Sequence, residues 1–394
     1  MALRSAFTSV AVAVQSAPDS WANPSSSTDL FPCSEVKPNF ESILAQNPEY
    51  LGSVDRPGDF LLGEKVSVSI SIPIRPPGGA SPPAAGAFKL GRFLRAANFT
   101  ETILSSAIPA SPEAVSAATT GSITLGAGAA ATADLYRGLA VLISDNGASY
   151  PRQLAAIRAY TAAKVATLAE TLGYTPAANY QIPKQIAYLS GAAGDPPNLS
   201  LKIWYDKCRY DLINQVVSSA KLSFVTSTRE STEYCKLDLT VEGDVYDWAD
   251  EDAPSVGALG AIPTFKDGDM WLANKAVGGS GFNIDMGIKV GFPPNPNKAQ
   301  GNDAAQITET RRTGQVNLNH NLKSVVDFRA LATAQAYHAL WAQYGYTAGN
   351  MVGLLVPNAR LTYPNVDNGG EFVTQTIDLL VDDPTKSVCL YFPY

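Results

Sequence analysis

The sequence predicts a mainly β protein of the α+β kind: a β-sandwich or barrel with one or two packed helices, long arms and loops, and a small inserted module. Three observations carry that reading. Apolar and polar residues alternate in stretch after stretch, most clearly in KVSVSISIPI at 65–74. A strand turns successive side chains to opposite faces, so a period of two marks half-buried strands. The 31 glycines and 27 prolines suit many short strands joined by turns more than long helices. Hydrophobic content of 45% against 16% charged describes a folded chain, and 394 residues suffice for two or three domains with cores of their own.

The N-terminal MALRSAFTSVAVAVQSA imitates a signal peptide, with one arginine and an apolar run. Yet Thr8, Val10, Val12 and Val14 share one parity against Ser9, Ala11, Ala13 and Gln15, which predicts a strand. Residues 16–60, rich in Pro, Asn, Ser and Asp, read as a long arm with few regular elements. In the next strand Val66, Val68, Ile70, Ile72 and Ile74 face a core, while Lys65, Ser67, Ser69 and Ser71 face water or a partner. After a flexible loop at 75–87 the period changes. Leu90, Phe93, Leu94 and Ala97 recur at i, i+3, i+4 and i+7, the stripe of a short amphipathic helix at 88–98.

Residues 109–131 are rich in small side chains and read as a linker, 135–143 as a strand, and DNG at 145–147 as a turn. The segment PRQLAAIRAYTAAKVATLAETLG admits either a helix, favoured by its alanines, or two strands. GAAGDPPN at 191–198 closes the unit. The resulting division is 1–112 and 199–394 for one domain and 113–198 for an insertion.

Beyond it, strands are predicted at 199–205, 221–227 and 236–243. FNIDMGIKV at 282–290 sets Phe282, Ile284, Met286, Ile288 and Val290 against Asn283, Asp285, Gly287 and Lys289. QVNLNHNL at 315–322 repeats the pattern across a long polar loop. A helix is predicted at 325–345 from the stripe Tyr337, Leu340, Trp341 and Tyr344, with Gly345 as its stop. Strands near 351–361, 371–381 and 387–393 end the chain.

Little in the sequence marks chemistry. A net charge of −7 argues against a basic surface that grips nucleic acid, though not against one that lets it slide past. No run of about 18 apolar residues predicts a membrane span. Cys33, Cys208, Cys235 and Cys389 are far apart, which fits a reducing assembly compartment. GAGAAA at 126–131 fits GxGxxA, but no helix pattern follows it, so a flexible linker is the better reading. The acidic run at 242–254 lacks a calcium-loop pattern and reads as a solvated loop or acidic surface. His320 and His338 have no metal or triad spacing, and GGSGF is not GxSxG. No enzyme motif, cofactor or metal site is expected. Trp204, Tyr205, Tyr210, Tyr246, Trp248 and Trp271 admit a sugar-binding platform, with core and interface roles the ordinary alternative.

The order of segments resembles that of phage major tail tube proteins. The stretch QNPEYLGSVDRPGDFLLGEKVSVSISIPIRPPGGASPPAAGAFKLGRFLRAANFTET is similar to a family signature with a helix of the LGxLLRAxGF kind. It is matched at Leu90, Gly91, Phe93, Leu94, Arg95, Ala96 and Phe99. Asn98 stands where the family often has glycine, and asparagine tolerates the same left-handed geometry. NLSLKIWYDKCRYDLINQVVSSAKLSF and CKLDLTVEGDVYDWADEDAP resemble the strands that follow. Coverage is about 1–112 and 199–394. The insertion resembles a small β-module of phage structural proteins through residues including Tyr136, Gly138, Gln153, Ile157, Tyr160 and Lys164. That resemblance favours strands over helix for 150–169, on an outward-facing decoration.

The resemblance implies homohexameric rings stacked into the tail tube of a long-tailed phage, the conduit for DNA ejection. It implies tape measure protein and viral DNA in the lumen, tail terminator and distal tail proteins at the ends, no membrane, assembly in the host cytoplasm and a place in the virion tail. Small polar or acidic side chains would let a polyanion pass, so Ser67, Ser69, Ser71, Asp238, Thr240, Glu242, Asn283 and Asp285 are the lumen-facing candidates. Lys289 goes against a purely acidic lining. The arm and two loops would reach neighbours, with Pro76, Pro77, Gly78, Gly79, Pro293, Pro294, Asn295 and Asn297 the inter-subunit candidates. The alternatives are a tail fibre or receptor-binding protein that recognises host glycans, and, more distantly, a hydrolase built from scattered acids.

Overall fold

The computed structural model describes residues 8–48, 58–144, 153–191, 194–229, 233–257, 262–266, 268–298, 301–345 and 347–394. Among them the fold is mainly β, with two short helices. The chain begins with β1 (Thr8–Val14), β2 (Leu30–Phe31), β3 (Glu35–Ala45) and β4 (Phe60–Pro73), then α1 (Lys89–Ala96) and β5 (Phe99–Leu104). Seven strands follow: β6 (Ile108–Ala114), β7 (Ala117–Thr119), β8 (Ser122–Thr124), β9 (Ala140–Ile143), β10 (Gln153–Tyr160), β11 (Val165–Leu168) and β12 (Asn179–Ile182). Next come β13 (Gln185–Ser190), β14 (Leu199–Tyr205), β15 (Cys208–Val225), β16 (Lys236–Asp250), β17 (Asp269–Leu272), β18 (Lys275–Ala276) and β19 (Gly279–Asp285). A ribbon of β20 (Ile288–Gly291) and β21 (Gln306–Thr310) leads to β22 (Thr313–Asn319), α2 (Phe328–Ala334) and β23 (His338–Tyr344). The chain finishes with β24 (Val352–Leu361), β25 (Asn365–Asp367), β26 (Thr374–Val381) and β27 (Cys389–Pro393).

One antiparallel sheet runs β3–β4–β16–β15–β19–β22–β26–β24. From β24 it continues through β23 to β17 on one side and through β27 to β13 and β5 on the other. β15 also carries β14, and through it β1 and β2. The sheet wraps one core, to which β4 contributes Val66, Val68, Ile70 and Ile72, β1 adds Val10 and Val12, and α1 adds Leu90, Phe93 and Leu94. The predicted helix stripe is therefore its buried face, and Asn98 takes the left-handed turn behind it at φ 68°.

The strands β6 to β12 make a separate seven-stranded sheet. Its core of Ile123, Val141, Ile143, Ile157 and Leu168 also takes in Leu189, Trp341, Leu355 and Tyr391 from the outer face of the large sheet. Arg137 pairs with Asp383, and Arg158 donates to the Pro357 carbonyl at 2.8 Å, pinning the two layers together. β10 and β11 pair antiparallel, so this segment is strand, not helix.

Several expectations are corrected. The arm at 16–60 holds one long regular element that was not expected: β3 pairs along β4 from Glu35 opposite Ser71 to Ala45 opposite Phe60. Residues 109–131 are not a plain linker, since β6, β7 and β8 lie there. The 113–198 span holds strands of both sheets, because β13 pairs with β5 and β27 in the large one. Residues 282–290 are not one strand. The chain breaks at Gly287 (φ 54°), where a Cβ would meet the Arg311 carbonyl oxygen at 1.9 Å, and β20 pairs with β21 apart. The acidic run is not a free loop as far as Asp250, because β16 carries it in register with β15.

The helix predicted over 325–345 is confined to α2. Asp327 caps it by accepting from the Ala330 N–H at 2.9 Å, and Gln335 ends it in a left-handed turn at φ 51°. Tyr337, Leu340, Trp341 and Tyr344 belong to or border a strand whose two faces are both buried, Leu340 and Tyr344 in one core and Trp341 in the other. The DNG turn at 145–147 lies outside the described residues.

Candidate functional site: a polar sheet face

The register of β4 answers what its serines look at. Ser67, Ser69 and Ser71 stand opposite Glu242, Thr240 and Asp238 of β16. On the other side of β4 they stand opposite Asn39, Lys37 and Glu35. Asp238 is next to Lys221 of β15, Lys221 next to Asp285 of β19, and Asp285 next to Thr313 of β22. Ser223 connects Lys236 to Asn283, which continues to Gln315 and then Asp378 of β26. Cross-strand partners share a face. All eight lumen-facing candidates therefore sit on one face of one sheet, while Val66, Val68, Ile70, Leu237, Leu239 and Leu222 fill the core behind it.

Short-range contacts order this surface. The Ser71 hydroxyl donates to Asp238 Oδ1 at 2.5 Å, and Lys236 approaches the other oxygen at 3.3 Å. Lys37 pairs with Glu35, and Lys65 with Glu41 at 2.7 Å; these contacts hold both glutamates below the usual carboxylate range. Gln315 donates to Asp378 at 3.1 Å and Thr376 to Asn317 at 2.9 Å. The middle of the face is a shallow groove of about 390 Å³ whose rim is formed by Glu35, Lys37, Ser219, Lys221, Asp238 and Thr240. At the Glu242 end lies a second groove of about 380 Å³ with Glu41, Glu64, Asp244 and Asp303 around it. Burial raises the Asp244 carboxyl, against the Asn214 amide that donates to it at 3.2 Å.

The inter-subunit candidates fare differently. Pro76 is buried in its own chain, so it is not a free contact residue; Pro77 is half-buried, while Gly78 and Gly79 are exposed. The Gly78 N–H donates to the Gly349 carbonyl at 3.1 Å, which ties that loop down. Pro293, Pro294 and Asn297 are exposed, but Asn295 donates to Asp303 at 2.6 Å, and nearby Lys298 pairs with Asp19 at 2.5 Å. The aromatics do not make one platform. Trp204 is fully buried, Trp271 is paired in register with Trp341, and Tyr246 stacks on Trp21 at 4.6 Å.

Sequence reasoning missed Glu35, Lys37 and Asn39, which complete the face on β3. Their alternation with Val36, Pro38 and Phe40 was available, but a proline within a run argues against a strand except at a sheet edge. β3 is such an edge. Among the described residues no group of three or more His, Cys, Asp or Glu side chains is placed to hold a metal, and the four cysteines are free thiols. No helix among them is long and apolar enough to cross a membrane. No protein-family model matches the chain, and no curated protein is significantly similar to it.

Proposed function

We propose that this chain is the structural subunit of a phage tail tube and that its polar sheet face is the wall of the bore. The observation that carries the reading is the unbroken polar row Glu35–Ser71–Asp238–Lys221–Asp285–Thr313, whose register crosses β3, β4, β16, β15, β19 and β22. A duplex passing such a wall meets hydroxyls, amides and carboxylates, with the exposed Lys221 in register between Asp238 and Asp285. Lys37, Lys65 and Lys236 each lie against a carboxylate, which blunts their pull on phosphate.

One edge fits ring closure. β3 has no strand partner on its outer side among the described residues. The row continues at its other end through Leu380 of β26 to Arg360 of β24, and the three-residue β25 borders β26 only at Thr374–Thr376. An edge met by the next copy ceases to be a site of uncontrolled pairing, and a heterologous contact that closes by rotation gives a ring. In this reading the rings are hexamers, stacked, with tape measure protein and then DNA inside and other tail proteins at the ends. The seven-stranded module lies across the opposite side of the large sheet from part of the core, in the position of a decoration.

The test replaces Asp238, Glu242 and Asp285 together with lysine. Tubes of normal bore in electron micrographs, combined with slower DNA release from virions, are expected. Normal tubes with unchanged release would remove the lumen assignment. Trimers or fibres instead of rings would replace the reading with that of a receptor-binding protein, for which the 66% exposed Trp248 is the best anchor.

A further inference from the structure

At the end of β4 remote from the exposed β3–β4 ribbon lies a cleft of about 250 Å³ whose walls include Phe31, Pro73, Pro83 and Phe88, with Arg75 and Lys89 beside them. Lys89 is engaged, donating to the Leu30 carbonyl at 2.8 Å. Arg75 is not: its Nε and Nη1 are shielded from solvent and have no hydrogen-bond partner. Arg75 is half-buried, and two shielded guanidinium nitrogens without an acceptor are costly, because water has been removed from them and nothing replaces it. Apolar walls around one unmatched cation define the missing group as a carboxylate carried on an apolar segment.

The opposite end of the same strand carries such a segment. β16 accompanies β4 only as far as Val66, opposite Gly243; from Lys65 outward β4 is paired with β3 alone, as a two-stranded ribbon. The ribbon exposes Leu44 at 57%, Phe60 at 57%, Leu61 at 70% and Leu62 at 63%. The carboxylates of Asp59 and Glu64 are exposed beside them. Strand geometry of about 3.3 Å per residue puts roughly 40 Å between Leu61 and Pro73. A ribbon therefore cannot enter the cleft of its own chain.

We propose that the β3–β4 ribbon of one copy docks in the Arg75 cleft of a second copy, its apolar side chains against the proline-lined walls and a ribbon carboxylate on Arg75. The partner is this chain itself, chosen by charge and by apolar complementarity. Because donor and acceptor surfaces lie at opposite ends of β4, the contact is heterologous, and with a rotation that does not close it repeats as axial growth. The proposal rests on the tube reading only in identifying that axis with the axis of the tube.

Two single-surface variants test it: Arg75→Gln, which removes the cation with little change in size, and Leu61→Asp with Leu62→Asp, which spoils the ribbon. Circular dichroism first establishes that both fold. Sedimentation of the wild-type chain should show association that grows with concentration. Each variant alone should weaken it by about 30-fold or more, as expected when one side of a desolvated charge pair or its apolar anchor is lost. Mixed together, the variants retain one good ribbon and one good cleft, so paired species should return without longer ones. Variants that associate like wild type, a mixture that recovers nothing, or a wild-type chain with no concentration-dependent association would each overturn the proposal. Closed rings that fail to stack in Arg75→Gln support both readings. Stacks without rings would overturn the tube and leave the ribbon contact standing.

Discussion

Two parts of one sheet obey different sequence rules. In β4, polar serines alternate with Val66, Val68 and Ile70, because one face has a core behind it and the other carries no second layer. Ser69 is left exposed and Ser67 half-buried, while Ser71 is covered beside Asp238. In β23, β24 and β27 the alternation disappears. Leu340, Leu354 and Leu390 enter the main core, while their neighbours Trp341, Leu355 and Tyr391 enter the core shared with the module. Period two reports a difference between the environments of the two faces, so it vanishes wherever both faces are covered. The contrast shows how the module is held: it docks on strands that are apolar on both sides, and leaves the bare face untouched.

The largest expected effect lies on the doubly covered side. Trp341 is fully buried and its indole N–H meets the Tyr391 hydroxyl, so Trp341→Ala should cost about 3–5 kcal/mol in urea unfolding through the cavity it leaves. A loss under about 1 kcal/mol would mean that the module does not rest on this sheet as described. Next comes Gly353, where an added Cβ would lie 2.1 Å from the Tyr391 ring. Gly353→Ala should destabilise by about 1–3 kcal/mol through overpacking, seen as a lower denaturation midpoint.

A smaller effect is expected from Asp269, paired in register with Gln343 of β23. Burial raises its carboxyl above the ordinary value of 3.8. The folded state thus holds the proton more tightly than the unfolded one, so this group favours folding at pH below that value. Its contribution is lost as pH rises through the raised folded value. Asp269→Asn should flatten that part of the stability profile and exceed the wild type near neutral pH; an unchanged profile between acid and neutral pH would contradict the burial. The smallest effect belongs to the bare face, where Ser69→Ala should shift stability by no more than about 0.5 kcal/mol. A larger loss would show that Ser69 is covered in the subunit itself.

Legibility in the sequence followed the same division. The β4, β19 and β22 patterns were readable, and with them the polar residues now found on one face. The stretch from Tyr337 to Tyr344 was misread because apolar residues on both faces of a strand also fall at i, i+3, i+4 and i+7. The first half of β15 was hidden similarly, with Leu212, Ile213, Gln215 and Val216 all buried and Asn214 taking a φ of 56° within the strand. Glu35 and Lys37 were hidden by Pro38, which an edge strand tolerates because its N–H side needs no partner.

By itself the sequence determined that the chain is mainly β, where α1 lies, and which side chains of β4 and β19 turn away from the core. Those are consequences of local periodicity, and a strand or helix carries its period wherever it is placed. Only the tertiary structure decided that Ser71, Asp238, Lys221 and Asp285 form one row, that Arg75 has no acceptor, and that Trp341 belongs to a strand between two cores. These depend on which distant segments become neighbours, and long-range strand pairing leaves no trace in the spacing of nearby residues.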